Sequence, residues 1–283
     1  MITIVIGMEN TGSIFEESEK TFIELSNSQR LQIINALENT SMNLTLLAKH
    51  LGITMQEAHR NFNRLMDAGI VSRDSNGSYS LTTFGNTIIT QIPSINFLSK
   101  NRNYFSDHFF ANLPMKFVQR IGSLDNSNFI RGLVAVIEEI KELYRNSHEY
   151  IYGMIPQVPL DLMEVAAKTV MERKIKFNYI LPKNAAIPKK GKDFLNEINY
   201  QELLKKGLVE RKMIYEVKVS IVLNEKKALV MFPSVKGETD MNGAFSNSID
   251  RENNKLFHEW CLDYFRYSWL DAKPFDNSKL REV

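Results

Sequence analysis

The stretch "LAKHLGITMQEAHRNFNRLMDAGIV", residues 47 to 71, most narrows what this chain can fold into. Ala48 is small enough for two helices to approach closely, and Gly52 lets the backbone reverse between them. Ile53, Ala58, Phe62 and Leu65 then supply one apolar face. Leu44 to Leu51 reads as a short helix ended by Gly52; Thr54 offers an oxygen to cap the next, which runs to about Ala68 and stops at Gly69. Upstream, Phe22, Leu25, Leu31, Ile34 and Leu37 mark two helical pieces between Phe15 and Thr40, with Ser26 or Ser28 as cap of the second. After Gly69 comes "IVSRDSNGSYSLT", where β-prone runs flank Asn76 and Gly77, a strong hairpin signal. Helices followed by a small hairpin predict a winged helix-turn-helix domain, with an N-terminal arm, over residues 1–92.

Residues 83 to 124 look helical with interruptions at Pro93 and Pro114, so residues 93–127 are expected to be a helical connector and dimer contact. From Asn128 helices alternate with strands: a helix over Gly132 to Arg145, the strand "YIYGMI", a helix over Leu160 to Arg173 and the strand "IKFNYIL". A helix over Lys192 to Lys206, three strand-like pieces ("LVERKMI", "VKVSIVL", "KKALVMF") and a long aromatic helix, Asn254 to Leu270, follow. That order predicts an α/β domain with a mixed sheet over residues 128–283.

Gln56, His59, Arg60 and Asn63 fall at i, i+3, i+4 and i+7, opposite the apolar face of the second helix. A helix seated this way can enter a DNA major groove, where Gln and Asn fit adenine and Arg pairs bidentately with guanine. Arg64, and Arg73 with Tyr79 on the wing, are placed for phosphates; Ser41, Asn43, Thr45 and Thr54 can reach the backbone from the other side. The competing reading is a solvated face used for protein contacts. Against DNA stands Glu57; for it stands the lack of Lys/Glu pairing usual on a merely soluble face.

Charge qualifies this. The formal net charge is +2, but residues 1–92 carry six Lys/Arg against nine Asp/Glu, a balance of −3. Any DNA contact there rests on a few placed cations and not on a broad basic face. With 43% hydrophobic residues, packed cores are expected. The single cysteine, Cys261, excludes an intramolecular disulfide. The first residues, "MITIVIG", lack the pattern of a signal peptide, and no run of 18 apolar residues occurs. The expectation is a cytoplasmic protein without membrane contact.

Three stretches, "LAKHLGITMQEAHRNFNRLMDAGIV", "YSLTTFGN" and "MFPSVKGETDMNGAFSNSIDRENNKLFHEWCLDYFRYSW", together resemble archaeal winged-helix transcriptional regulators of the methanogenesis regulatory protein family, from about Phe22 to Trp269. The resemblance implies an N-terminal DNA-binding domain and a C-terminal domain that senses a small molecule. The chain departs from the cysteine-rich redox-responsive members in having one cysteine.

The strands "YIYGMIP" and "KFNYILP" each end at a proline that opens a loop, and ligands lodge at such strand ends. Tyr152, Met154, Tyr179 and Lys183 therefore outline an expected effector pocket, with Asp240 and Asn242 as a lid. His258 and Cys261 lie three apart on an aromatic helix; two ligands do not make a zinc site, and core packing is expected. Neither a Gly-rich phosphate loop, Gly-x-Gly-x-x-Gly, His-Glu-x-x-His nor Gly-x-Ser-x-Gly occurs, so no catalytic residue, cofactor or metal is expected. The sequence thus predicts a homodimeric regulator of a double-stranded operator that responds to a small-molecule effector. The alternative is an enzyme, such as a small-molecule methyltransferase, that uses the winged helix only to dimerise.

Overall fold

In the computed structural model, α1 (Thr11–Leu25) and α2 (Ser28–Ala36) meet at Asn27, whose side-chain oxygen accepts from the Arg30 amide and caps α2. Asparagine takes the place expected of a serine; Ser26 Oγ instead donates to the Ile23 carbonyl. A short strand, β1 (Met42–Asn43), leads into α3 (Leu44–Leu51), whose Leu46 amide donates to the Asn43 side chain. Gly52, at φ +66°, turns the chain with no Cβ penalty. The next helix, α4 (Met55–Asp67), opens with a capping box: Thr54 Oγ1 accepts from the Glu57 amide while Glu57 Oε2 accepts from the Thr54 amide at 2.9 Å.

Strands β2 (Val71–Arg73) and β3 (Ser78–Leu81) form the wing, followed by α5 (Thr83–Ile89). Their turn is wider than an Asn-Gly pair alone would make. Arg73 pairs with Tyr79, and the Asp74 carboxylate accepts from the amides of Asn76 and Ser78. With β1 the wing is a three-stranded antiparallel sheet, order β1-β3-β2. Ile33, Ile34, Leu47, Phe62, Leu65, Ile70 and Tyr79 share the core beneath it, giving the expected winged helix-turn-helix.

The structure describes residues 11–157, 159–183, 185–187, 189–237, 240–249 and 255–282, and the chain divides into two units after Ile92. The second unit begins with α6 (Ile92–Lys100) and α7 (Met115–Val118), followed by β4 (Asn128–Arg131), α8 (Leu133–Arg145), β5 (Tyr150–Met154), α9 (Leu160–Arg173) and β6 (Lys176–Pro182). Then come β7 (Ala186–Ile187), α10 (Lys189–Glu197), α11 (Tyr200–Lys205), β8 (Val209–Ile214), β9 (Ser220–Asn224) and β10 (Lys227–Met231). The chain ends through β11 (Gly243–Ser248), α12 (Lys255–Asp271), β12 (Lys273–Pro274) and β13 (Arg281–Glu282).

Eight of these strands form one mixed sheet, order β12-β8-β6-β5-β9-β10-β11-β4, in which β5, β6 and β8 run parallel and the remaining pairs antiparallel. Alternation along the strands feeds two cores. Ile221, Leu223 and Val230 enter the layer built with Phe257, Trp260, Cys261 and Phe265 of α12. Val222, Leu229 and Met231 enter the layer built with α8 and α9. At one edge β12 is two residues long and ends in Pro274.

The stretch 93–127 is not a separate connector. Phe97, Leu113, Phe117, Ile121 and Leu124 are buried in the α12 layer. Only α6 and α7 are α-helical within it; residues 101–114 contain no helix. Tyr104 and Phe105 instead join a ring cluster, packing with Phe129 on Phe245. The helix expected over Lys192 to Lys206 is two, broken at Asn199, which adopts a left-handed conformation. β11 was also missed, because Gly243-Ala-Phe-Ser-Asn-Ser shows neither alternation nor β-branching. It is buried on both faces, and a Cβ at Gly243 would stand 2.8 Å from the Phe129 ring. No described helix is long and apolar enough to cross a membrane.

Candidate functional site

Two sites follow from this frame. On α4, Ala58, Asn61, Phe62 and Leu65 are buried, while Gln56, His59, Arg60 and Asn63 are all exposed on the opposite side. The helix is held from several directions: Phe62 stacks on Tyr79 with ring centroids 3.8 Å apart, and Asn61 Nδ2 donates to Gln29 Oε1. The exposed row is therefore carried on a fixed support. Asn63 Nδ2 lies 3.4 Å from His59 Nδ1, so these two side chains brace each other. Among the described residues no carboxylate forms an ion pair with Arg60 or Arg73. Glu57 bends back on the helix start, where the Thr54 backbone amide and then its hydroxyl hold the carboxyl below the usual carboxylate range.

Four sequence-based assignments change. Tyr79 is 2% exposed and belongs to the core; Arg73 lies over its ring, 5.5 Å from the centroid, and is exposed, so of the two only Arg73 can reach a phosphate. Alternation in a four-residue strand hid this, because the inward face was set by Phe62. Arg64 is not a spare cation: its Nε and Nη2 both donate to the Glu24 carboxylate, which also pairs with Arg30 at 2.9 Å. Thr54 is occupied by the capping box and Asn43 by the cap of α3, leaving Thr45 and Ser41 exposed beside them.

The expected effector pocket does not assemble. Tyr179 pairs with Gly153 in the β5–β6 register, and Tyr152 pairs with Asn178, so the two tyrosines point to opposite faces of the sheet. Tyr152 stacks on Phe265 at 4.8 Å, and Met154, 1% exposed, lies in that same layer. Lys183 is exposed, and its amide donates to the Ile214 carbonyl. Asp240 and Asn242 precede β11, four strands from β6, roughly 19 Å at ordinary strand spacing. Asp240 is a lock and not a lid. One carboxylate oxygen accepts twice from Asn242, and the other lies 3.1 Å from His108 Nε2. The His108 ring stacks on Tyr104, and its Nδ1 lies 2.6 Å from Asp107. Burial works to lower the His108 pKa, but the bonds to Asp240 and Asp107 outweigh it and hold the ring above the ordinary histidine value.

One of the six, Tyr179, does line a cavity, on the α9 face of the sheet, of about 340 Å³. Leu162, Ala166 and Val170 of α9 and Phe177 of β6 form its apolar wall; Tyr200, Arg211 and Phe275 bring aromatic and polar atoms. The Tyr179 and Tyr200 hydroxyls are 2.7 Å apart, and burial pushes both upward, so each keeps its proton. Two hydroxyls hold two hydrogens and spend one on each other. The Arg211 guanidinium lies 4.1 Å from the Phe275 centroid and 5.6 Å from that of Tyr200. Sequence reading passed over Arg211, although Val209, Arg211 and Met213 alternate in "LVERKMI" and place one cation on an apolar face.

His258 and Cys261 are both buried; His258 Nε2 donates to the Asn224 carbonyl at 2.6 Å, and burial raises the Cys261 thiol. Among the described residues no group of three or more His, Cys, Asp or Glu could hold a metal ion.

No protein-family model matches the chain, and no curated protein matches it. Among solved structures, the chain is similar to TrmBL2, an archaeal chromatin protein, at 13% identity, covering 88% of this chain and 94% of that one, with a TM-score of 0.40. It is similar to the homodimeric winged helix-turn-helix DNA-binding domain of Mb0332 from Mycobacterium bovis, at 16% identity over 36% of this chain and 92% of that one, TM-score 0.30. It is also similar to Nuc, a phospholipase D family member from Salmonella typhimurium, at 8% identity over 54% and 99%, TM-score 0.39. No family assignment follows from likenesses of this size, and the functional reading rests on the geometry of α4 and of the cavity.

Proposed function

We propose that the chain is a sequence-specific DNA-binding transcriptional regulator, a homodimer on a double-stranded operator, whose second unit responds to a small-molecule effector. The observation that carries this is the exposed row Gln56, His59, Arg60 and Asn63 on a helix whose other side is buried. Side chains on a rigid support can read base edges, because little freedom remains to be lost on docking. The bend of Glu57 toward Thr54 weakens the objection that its charge faces phosphates. Two-fold pairing would set two α4 helices roughly 34 Å apart along the duplex. Membership of the archaeal methanogenesis regulatory protein family is part of the proposal, supported by the three sequence stretches that resemble it. In this reading the chain catalyses nothing.

Operator selection from random duplexes, followed by anisotropy titrations, tests it; failure to enrich any sequence would refute it. Arg60→Ala is expected to cost about 1–3 kcal/mol of discrimination between cognate and random DNA. Equal loss on both would make Arg60 a phosphate contact. Arg73→Ala should weaken binding to all sequences alike and reduce the salt slope by about 1. A slope unchanged by that substitution would remove Arg73 from the interface.

A further inference from the structure

We infer that the cavity between α9, β6 and β8 is the effector site, and that it takes a small monocarboxylic acid with an apolar body, its carboxylate seated on Arg211. The inference rests on the proposed function for the word effector, but its chemistry comes from the cavity.

Arg211 brings a guanidinium, a fixed cation with a planar fork of N–H donors. It lines an apolar cavity, it is half-buried, and among the described residues no carboxylate reaches it. A cation partly withdrawn from water without a counter-ion is costly, and a ligand that supplies one recovers that cost. The flanking Phe275 and Tyr200 rings hold the guanidinium plane in place, which prepares its N–H fork for the two oxygens of a carboxylate. The tyrosine pair adds the hydroxyl hydrogen left over after the 2.7 Å bond between Tyr179 and Tyr200.

Charge and size then limit the occupant. Arg211 is the one cation among the described residues that line the cavity, so a monoanion is matched and a phosphate dianion is left with excess charge. Leu162, Ala166, Val170 and Phe177 form one apolar wall that suits an apolar body, while Asn196, Gln201 and Asn277 line other parts of the cavity. A volume of about 340 Å³ stands at the small end of ligand pockets, which run from roughly 300 to 1,000 Å³. A short-chain aliphatic or single-ring aromatic acid satisfies all three conditions.

The test is calorimetric titration of the full chain, without DNA, with octanoate and with 3-phenylpropanoate, each against its matched primary alcohol. At least one acid is expected to bind, and its alcohol to bind about tenfold more weakly or less. Arg211→Gln should weaken the acid about 10- to 100-fold while leaving the alcohol unchanged. Ala167→Phe, a substitution in the cavity wall, should abolish binding with the melting curve of the free protein nearly unmoved, so the inference stays testable if Arg211→Gln does not fold. Acid and alcohol binding alike, an acid indifferent to Arg211→Gln, persistent binding to Ala167→Phe, or no binding of either acid would overturn it. Because DNA is absent, loss of operator binding and loss of ligand binding are separate results.

Discussion

Glu24→Ala is expected to destabilise the first unit by about 3 kcal/mol, the lower end of the cost of breaking a buried ion pair. The Glu24 and Arg30 side chains are each 10% exposed, and Glu24 also receives the fork of Arg64, so one carboxylate ties α1 to α2 and α4. The lower end applies because Arg30 keeps the Ile23 and Glu24 carbonyls as acceptors, 2.9 Å away, after the carboxylate is gone. Hydrogen exchange over α1, α2 and α4 measures the effect, and unchanged protection there would show that the pair contributes little. The same group sets an acid limit. Hydrogen bonds from Arg64 hold the Glu24 carboxyl below its ordinary value of 4.5. Its stabilisation is thus complete above that ordinary value and lost as pH falls through the depressed one. Wild-type protection in these helices should fall below pH 4.5, and Glu24→Gln should flatten that fall.

Trp260→Ala should cost the second unit about 4 kcal/mol, within the range for deleting a large buried aromatic. Trp260 is wholly buried, and Phe117 meets it edge-on at 5.7 Å. The indole Nε1 donates to the Phe117 carbonyl at 3.0 Å, so truncation leaves a cavity and an orphan acceptor together. Urea unfolding followed by exchange in β9 and β10 would report the loss. Trp260→Phe, which keeps most of the ring but not the donor, should retain roughly half of the lost stability. If both variants match wild type, the α12 layer is not the support described here.

Much of the first unit was legible because its signals are local. The Thr54 cap, the Gly52 reversal and the polar row on α4 each involve residues within one or two helical turns, where spacing alone fixes geometry. What failed was decided at a distance. Arg64 looks free until Glu24, forty positions away, is folded beside it, and Tyr79 looks exposed until Phe62 is. In the second unit the strand ends were found but not their faces: one step of register separates Tyr152 from Tyr179 and sends them to opposite layers. The cavity remained hidden because its members come from α9, β6, α11, β8 and the tail beyond β12. Only the lone Arg211 on an apolar strand face hinted at it.

The two-residue strand at the β8 side of the eight-stranded sheet carries a consequence for self-association. Pro274 has no amide hydrogen, so it offers an incoming chain one donor fewer and resists ladder extension. On the far margin β4 runs four residues without a proline and is largely exposed. Growth of the sheet by an added strand is therefore obstructed at the rim that carries Pro274, whereas at the other margin no described strand pairs with the outer side of Asn128 to Arg131.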